Sequence, residues 1–216
     1  MTIRDVAGAT AGTAGKPMET PASIRLFWFG SAADDAAVAA RQARLWWAKD
    51  EQVDREIERR FAGWVERAAR GALNDWALTP DGRLALILLT DQFPRNMYRG
   101  TPQSFAFDRH ALAWCKDGLA AGMDGALRPV ERVFFYLPLE HAESMADQEL
   151  AVALFGQLAD GVDPAQRAAF DGFLDYARRH RDMIARFGRF PHRNGILGRA
   201  SSAEERAFLL QKGSSF

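Results

Sequence analysis

Apolar residues recur at helical spacing along most of the chain. Val53, Ile57, Phe61, Trp64 and Ala68 are separated by four, four, three and four positions, which places them on one face of a helix. A glycine follows this stretch, and glycine commonly ends helices. We therefore predict a helix from about residue 53 to about residue 68.

Similar apolar stripes continue to the end of the sequence, and no stretch shows the alternating pattern of a β-strand. The apolar run at residues 24–29 is compatible with an extended segment or with a first helical turn. The stripes, with the turns and caps that bound them, are Leu84, Ile87 and Leu88 after Pro80-Asp81-Gly82; Phe105, Leu112, Cys115 and Leu119; Met145, Val152 and Phe155; Phe170, Phe173, Ala177, Ile184 and Phe187, opened by Asp163-Pro164 and ended by Gly188; and Phe208 and Leu209 after a Ser201–Glu204 capping box.

This pattern predicts an all-α fold. We expect about seven or eight helices, packed as antiparallel pairs in a tetratricopeptide-like α-α superhelix or a bundle. Residues 23–216 would form a single all-helical domain. Residues 1–22 are rich in Ala, Gly and Thr, and we predict that they form a disordered tail.

Composition narrows the range of functions. The chain has 28 basic and 28 acidic residues, so it lacks the basic excess that strong duplex nucleic-acid binding requires. No apolar run approaches the length of a membrane span, which predicts a soluble, cytoplasmic protein without a membrane partner. The single cysteine, Cys115, excludes an internal disulfide and is expected to be a small buried residue.

Several polar residues occupy positions where the pattern calls for apolar ones. Asp91 continues the stripe that begins at Leu84, and Asp108 lies between apolar residues of the next stripe. His141 and Gln148 continue a third stripe, and His180 lies within a fourth. Burying a polar group without a partner costs about 1–3 kcal/mol, so these side chains either find partners within the core or line a shared polar pocket.

Arginines cluster in two predicted loops. Arg95 and Arg99 lie in the first, and Arg189, Arg193 and Arg199 lie in a second that contains no Asp or Glu. Guanidinium groups repel one another unless anions neutralise them. The anions are either carboxylates of this chain or the phosphate or carboxylate of a ligand, and the sequence leaves both possibilities open.

The chain resembles a bacterial family known as domain of unknown function 924, over roughly residues 24–216. This resemblance implies a tetratricopeptide-type helical protein and implies no established activity. It is carried by Phe27-Trp28-Phe29-Gly30, Trp46-Trp47, Asp91-Gln92-Phe93-Pro94-Arg95-Asn96, Arg99-Gly100-Thr101, Pro138-Leu139-Glu140-His141-Ala142-Glu143, Gln148, Phe187-Gly188-Arg189-Phe190-Pro191-His192-Arg193-Asn194 and Leu197-Gly198-Arg199.

These observations lead to a first hypothesis, a pocket that binds a small anionic metabolite and acts by acid–base chemistry. The candidate proton-transfer residues are His141 and His180, oriented by Asp91 or Asp108. No cofactor or metal is predicted, because the sequence lacks nucleotide-binding glycine motifs and metal-ligand spacing. The candidate ligand-binding residues are Gln92, Arg95, Asn96, Arg99, Gln148, Arg189, His192, Arg193, Asn194 and Arg199.

Two other classes of function remain open at this stage. A helical-repeat module that grips a protein partner would expose a stripe of tryptophans, with candidates Trp46, Trp47, Trp64, Trp76 and Trp114. A third possibility is single-stranded RNA binding by the arginine-rich loop with its aromatic residues.

Overall fold

The computed structural model describes residues 18–214, and all regular structure within this range is helical. Short 3-10 helices lie at Asn74–Leu78, Pro102–Phe105, Met123–Ala126 and Pro191–Arg193. The α-helices are α1 (Pro21–Phe29), α2 (Asp35–Trp47), α3 (Glu51–Ala69), α4 (Pro80–Ile87), α5 (Phe93–Met97), α6 (Asp108–Ala120), α7 (Pro129–Glu140), α8 (Met145–Gly161), α9 (Arg167–Phe187) and α10 (Ala203–Leu209).

The all-α prediction is confirmed, whereas the predicted number of helices was too low. The segments α4 and α5 belong to one continuous helix, so the described range contains nine helices rather than seven or eight. Sequence reasoning missed α2 and α7. Only three of the thirteen residues of α2 are buried, so few large apolar residues mark a stripe there. Ten of the twelve residues of α7 are buried, so it has almost no polar face to create a helical period. This helix also contains Pro138, and a proline in a sequence usually indicates that a helix ends before it.

Polar caps set the helix starts, and three of them differ from the predicted positions. Helix α1 begins at Pro21, where Thr20 forms a capping box with Ser23. Helix α9 begins at Arg167, because Asp163 caps a preceding turn rather than the helix itself. The last capping box joins Ser202 and Glu205, one residue later than predicted. The part of the predicted tail at residues 1–17 lies outside the described residues.

Helix α7 lies at the centre of the fold. It packs against α2, α4, α6, α8 and α9, and α8 packs in turn along α9. The main core contains its buried residues Phe134 and Phe135 together with Trp28 and Phe61, whereas a smaller cluster around Met183 covers the end of α9. Within residues 18–214, no helix is both long enough and apolar enough to cross a membrane.

A π-helical turn connects α4 to α5. Over Leu88–Gln92 the helix widens, and the amide of Phe93 donates to the carbonyl of Leu88, five residues earlier. Pro94 follows and has no amide hydrogen, and its ring would clash with the carbonyl of Thr90 in a regular α-helix. The wide turn accommodates this proline, and such turns are frequent at functional sites.

Candidate functional site

A buried carboxylate and an imidazole form the centre of the candidate site. Asp91 lies in the π-helical turn and is fully buried. His141 is the C-cap residue of α7, and its Nδ1 atom lies 2.8 Å from Oδ1 of Asp91. The sequence placed His141 on the same helix as Gln148, but the two residues lie on α7 and α8, on either side of a short turn.

Arg95 connects this pair to α6. Its guanidinium donates to both carboxylate oxygens of Asp108, at 2.9 and 3.0 Å, and its Nη1 lies 3.1 Å from Oδ1 of Asp91. Asp108 is the first residue of α6, so the predicted apolar stripe from Phe105 does not run along one helix. Its carboxylate lies where a helix N-terminus favours negative charge.

The electrostatics of the pair determine its protonation. Burial opposes ionisation of Asp91, but Arg95 and His141 outweigh it and hold the pKa of this carboxyl well below its usual range. Burial and the charge of Arg95 lower the pKa of His141, although Asp91 partly opposes them. Because an ionised carboxylate can only accept, Nδ1 of His141 carries the proton, and Nε2 of the neutral ring keeps its lone pair.

Arg193 approaches His141 from the loop that follows α9. Its Nη1 donates to the backbone carbonyl of His141 at 3.1 Å and lies 3.6 Å from Asp108. The guanidinium is packed against the rings of Phe105 and Phe190, at 4.8 and 4.4 Å from their centroids. Burial and the nearby charge of Arg95 lower the pKa of Arg193 to about 10.

Of these residues, Asp108, His141 and Arg193 border a cleft with a volume of about 360 Å³. Helices α6, α7 and α8 contribute to its walls, together with the loop after α9. Its lining combines charged groups, one imidazole and several apolar side chains: Asp108, Arg109, Leu112, Pro138, His141, Ala142, Glu143, Ser144, Asp147, Arg193 and Leu197.

The second predicted proton-transfer residue, His180, lies behind this cleft and not in its lining. Its Nδ1 donates to the carbonyl of Tyr176 and lies 3.0 Å from Oε1 of the buried Glu140. Its ring centroid is 6.2 Å from that of His141. His192 lies nearby, and burial and Arg193 lower its pKa to about 4. The structure therefore groups three of the four histidines near the C-terminal end of α7.

Gln148 supports the end of α7 from α8. Its side-chain nitrogen donates to the carbonyls of Leu139, Glu140 and Ala142, at 3.4, 2.6 and 2.8 Å. These carbonyls flank His141, and the last turn of a helix leaves such groups without intrahelical partners. Gln148 thus holds the backbone that carries His141 and does not line the cleft.

Other predicted ligand-binding residues form internal contacts instead. Arg99 and Asn96 both donate to Asp54 of α3, and Arg99 does so through two bonds of 3.0 Å. The amide nitrogen of Gln92 donates to the carboxylate of Asp91. None of these three residues lines the cleft.

The arginines of the second loop are also largely paired. Arg189 donates to both oxygens of Glu205, and Arg199 donates to both oxygens of Glu143. Asn194 is fully buried, and it accepts a bond from Arg199 and donates to Ser201. The chain's own carboxylates thus neutralise Arg189 and Arg199.

Sequence reasoning missed several lining residues. Arg109, Leu112 and Asp147 lie on the faces of α6 and α8 that border the cleft. They follow ordinary amphipathic patterns, so no local signal distinguishes them from surface residues. Asp147 forms an ion pair with Lys116. Among residues 18–214, no group of three or more His, Cys, Asp or Glu side chains is arranged to hold a metal ion.

Comparisons with known proteins agree with the resemblance seen in the sequence. The family model described as "Bacterial protein of unknown function (DUF924)" matches residues 24–213. A solved structure, a protein of unknown function (ATU0120) from Agrobacterium tumefaciens, is 40% identical, covers 83% of this chain and 100% of its own, and superposes with a TM-score of 0.70. No curated protein matches the chain. The chain therefore belongs to the bacterial DUF924 family, whose function is unknown.

Proposed function

We propose that the protein binds a small anionic metabolite in the cleft beside His141, with acid–base chemistry at that residue. The observation that carries this proposal is that the guanidinium of Arg193 is buried but has unused hydrogen-bond donors. Its residue surface is only 6% exposed, yet within residues 18–214 neither its Nε nor its Nη2 donates a hydrogen bond. A buried guanidinium with unused donors is unfavourable, and a carboxylate or phosphate in the cleft would accept a hydrogen bond from Nη2, which is not enclosed as Nε is.

The charges around the cleft support an anionic ligand. Two of the carboxylates in the lining, Asp108 and Glu143, each receive two hydrogen bonds from an arginine outside the lining, and Asp147 pairs with Lys116. Arg109 lines the cleft, is exposed, and forms no ion pair with any residue of the described part. The carboxylates of the lining are therefore neutralised by neighbouring cations. The positive charges of Arg193 and Arg109 are not fully neutralised by carboxylates of the described residues.

The Asp91–His141 pair supports the acid–base part of the proposal. Asp91 fixes the ring through Nδ1, which leaves Nε2 available on a residue that lines the cleft. A carboxylate that orients a neutral imidazole in this way is a common arrangement for proton transfer. The anion would be held by Arg193 and Arg109, and the transferred proton would pass through Nε2.

The proposal is tested by calorimetric titration and thermal shift with a panel of small carboxylates and phosphate esters. We expect stabilisation by one chemical class. Arg193→Gln and Arg109→Gln should each weaken binding by about tenfold or more, because a hydrogen bond to a charged group contributes about 1.5–3 kcal/mol. Since Arg193 is buried and its variant could unfold, the exposed Arg109 provides an independent test.

Arg99→Gln is the matched control. It removes the same positive charge, but at a guanidinium that pairs with Asp54 and lies outside the lining. It should bind the ligand like the parent protein. The proposal fails if no compound of either class binds, or if Arg99→Gln weakens binding as much as Arg109→Gln.

An interaction module is the second candidate function, and one observation favours it. Trp47 at the end of α2 is 53% exposed and stacks on Phe134. The other candidate tryptophans are buried or half-buried. This second proposal includes a tetratricopeptide-like arrangement of the helices, which would form the binding groove. Substituting Trp47 by Ala should abolish partner binding if this surface is used. A cytoplasmic location is common to both proposals.

A further inference from the structure

His141 and Arg193 share a hydrogen bond and also line the same cleft. Arg193 donates to the carbonyl of His141 at 3.1 Å, which ties its guanidinium to the backbone of the residue that carries the imidazole. A single oxyanion in this cleft is therefore within the reach of both side chains.

The free protein surrounds His141 with charges of both signs. Asp91 and Arg95 face it from the π-helical turn and α5, and they act on its charge in opposite directions. Burial adds to the effect of Arg95, so the neutral ring prevails without a ligand. The other charged or titratable groups around it are Asp108 and Arg109 on α6, Glu140 on α7, Glu143 in the turn before α8, Asp147 at the start of α8, His180 on α9, and His192 and Arg193 in the following loop.

We infer that binding of an oxyanion in the cleft is coupled to the uptake of one proton by Nε2 of His141. This inference rests on the proposed function and concerns the regulation of the same site. A bound oxyanion adds a negative charge that favours the imidazolium form and accepts a hydrogen bond from its new N–H. Asp91 already accepts from Nδ1, so both N–H groups of the imidazolium then have anionic partners.

The proton comes from solvent and is added to the lone pair of Nε2, and no covalent bond of the ligand forms or breaks. The complex then holds His141 as a general acid, poised to donate its proton to the bound molecule. The anion consequently binds more tightly as the pH falls, until His141 is already protonated in the free protein.

Calorimetric titration with sulfate, and separately with propionate, tests this coupling. Neither probe changes its own charge between about pH 6 and about pH 8, the range in which histidine titrates. Titrations in buffers with different ionisation enthalpies measure the number of protons taken up. We expect an uptake that approaches one proton, and an affinity that rises by up to about tenfold for each pH unit lowered. Using both probes distinguishes a tetrahedral oxyanion site from a carboxylate site.

The variant His141→Gln separates the coupling from binding itself. It should still bind the probe through Arg193 and Arg109, but more weakly, without proton uptake and with a pH-independent affinity. His110→Gln, on α6 and outside the lining, is the matched control and should keep the proton uptake.

The possible failures are distinct. Binding of either probe without proton uptake, or an uptake that persists in His141→Gln, overturns the coupling and leaves the proposed anion site intact. If neither probe binds to the parent protein at any pH, both the coupling and the anion site are overturned.

Discussion

The Nδ1 atom of His141 lies 2.8 Å from the carboxylate of Asp91, fifty positions earlier in the chain. This bond joins the C-terminal end of the central helix α7 to the π-helical turn between α4 and α5. Asp91 is fully buried, and Gln92 and Arg95 also donate to it or pair with it. The carboxylate of Asp91 thus contacts three side chains and links the end of α7 to the π-helical turn.

Asp91→Asn should destabilise the protein by about 3 kcal/mol at neutral pH. Removing one partner from a buried ion pair costs about 3–5 kcal/mol, and we expect the lower end because Arg95 keeps Asp108. Urea unfolding of parent and variant measures the difference.

The same substitution has a predictable pH dependence. The pKa of Asp91 is lower in the folded protein than in the unfolded chain, so its contribution to stability is complete above about pH 4 and is lost as the pH falls further. The difference between the parent protein and Asp91→Asn should therefore shrink below about pH 4. A difference that stays constant down to about pH 2 would contradict this assignment.

His192 should make the protein sensitive to mild acid. Burial and Arg193 lower its pKa to about 4, whereas the unfolded chain binds a proton near pH 6.5. Its contribution to stability is complete above about pH 6.5 and is lost as the pH falls towards about 4. His192→Asn should flatten the stability profile in this interval, as measured by denaturant unfolding at a series of pH values. Parallel profiles for parent and variant would exclude this role.

Gln148→Met should lower the free energy of unfolding by about 1–3 kcal/mol. The substitution keeps the approximate size of the side chain but removes the donor shared by three carbonyls at the end of α7. Gln157→Met, at an exposed position of the same helix, should change stability by less than about 0.5 kcal/mol. Equal effects at both positions would mean that the carbonyls do not depend on Gln148.

Two glycines of α9 should respond to alanine in opposite directions. Gly188 ends the helix with a φ of 69°, and an added Cβ meets no atom within 4 Å, so Gly188→Ala should cost about 1–2 kcal/mol through backbone strain alone. Gly172 lies inside the helix with equally open space, and Gly172→Ala should stabilise by up to about 1 kcal/mol. Thermal unfolding of both variants checks the two signs.

Much of the fold follows from local pattern. The stripe from Val53 to Ala68 lies within α3 as predicted, and Gly188 ends α9 as predicted. Amphipathic helices can be found this way because their polar faces create the period. Helices α2 and α7 were not predicted, because few residues of α2 are buried and nearly all of the surface of α7 is covered by neighbours. Neither helix has the contrast between polar and apolar faces that creates the period.

The candidate site was predictable only in part. Polar residues in apolar stripes drew attention to Asp91 and His141, which lie in contact although they are fifty positions apart in the chain. The sequence could not show that Arg99 and Arg189 pair with Asp54 and Glu205, because such pairing depends on how helices pack. It also could not distinguish Arg109 from an ordinary surface arginine, since only the neighbouring helices and loop turn that face of α6 into a cleft wall.

The π-helical turn has a consequence for the angular arrangement of the side chains that follow it. Each residue of an α-helix advances the chain by about 100° around the axis, so one additional residue in a turn rotates everything beyond it by that angle. After the turn, Arg95 reaches α6 and Asn96 reaches α3. Deleting a single residue between Leu88 and Asp91 would rotate both side chains away from their carboxylates, even though the sequences of α4 and α5 stayed unchanged.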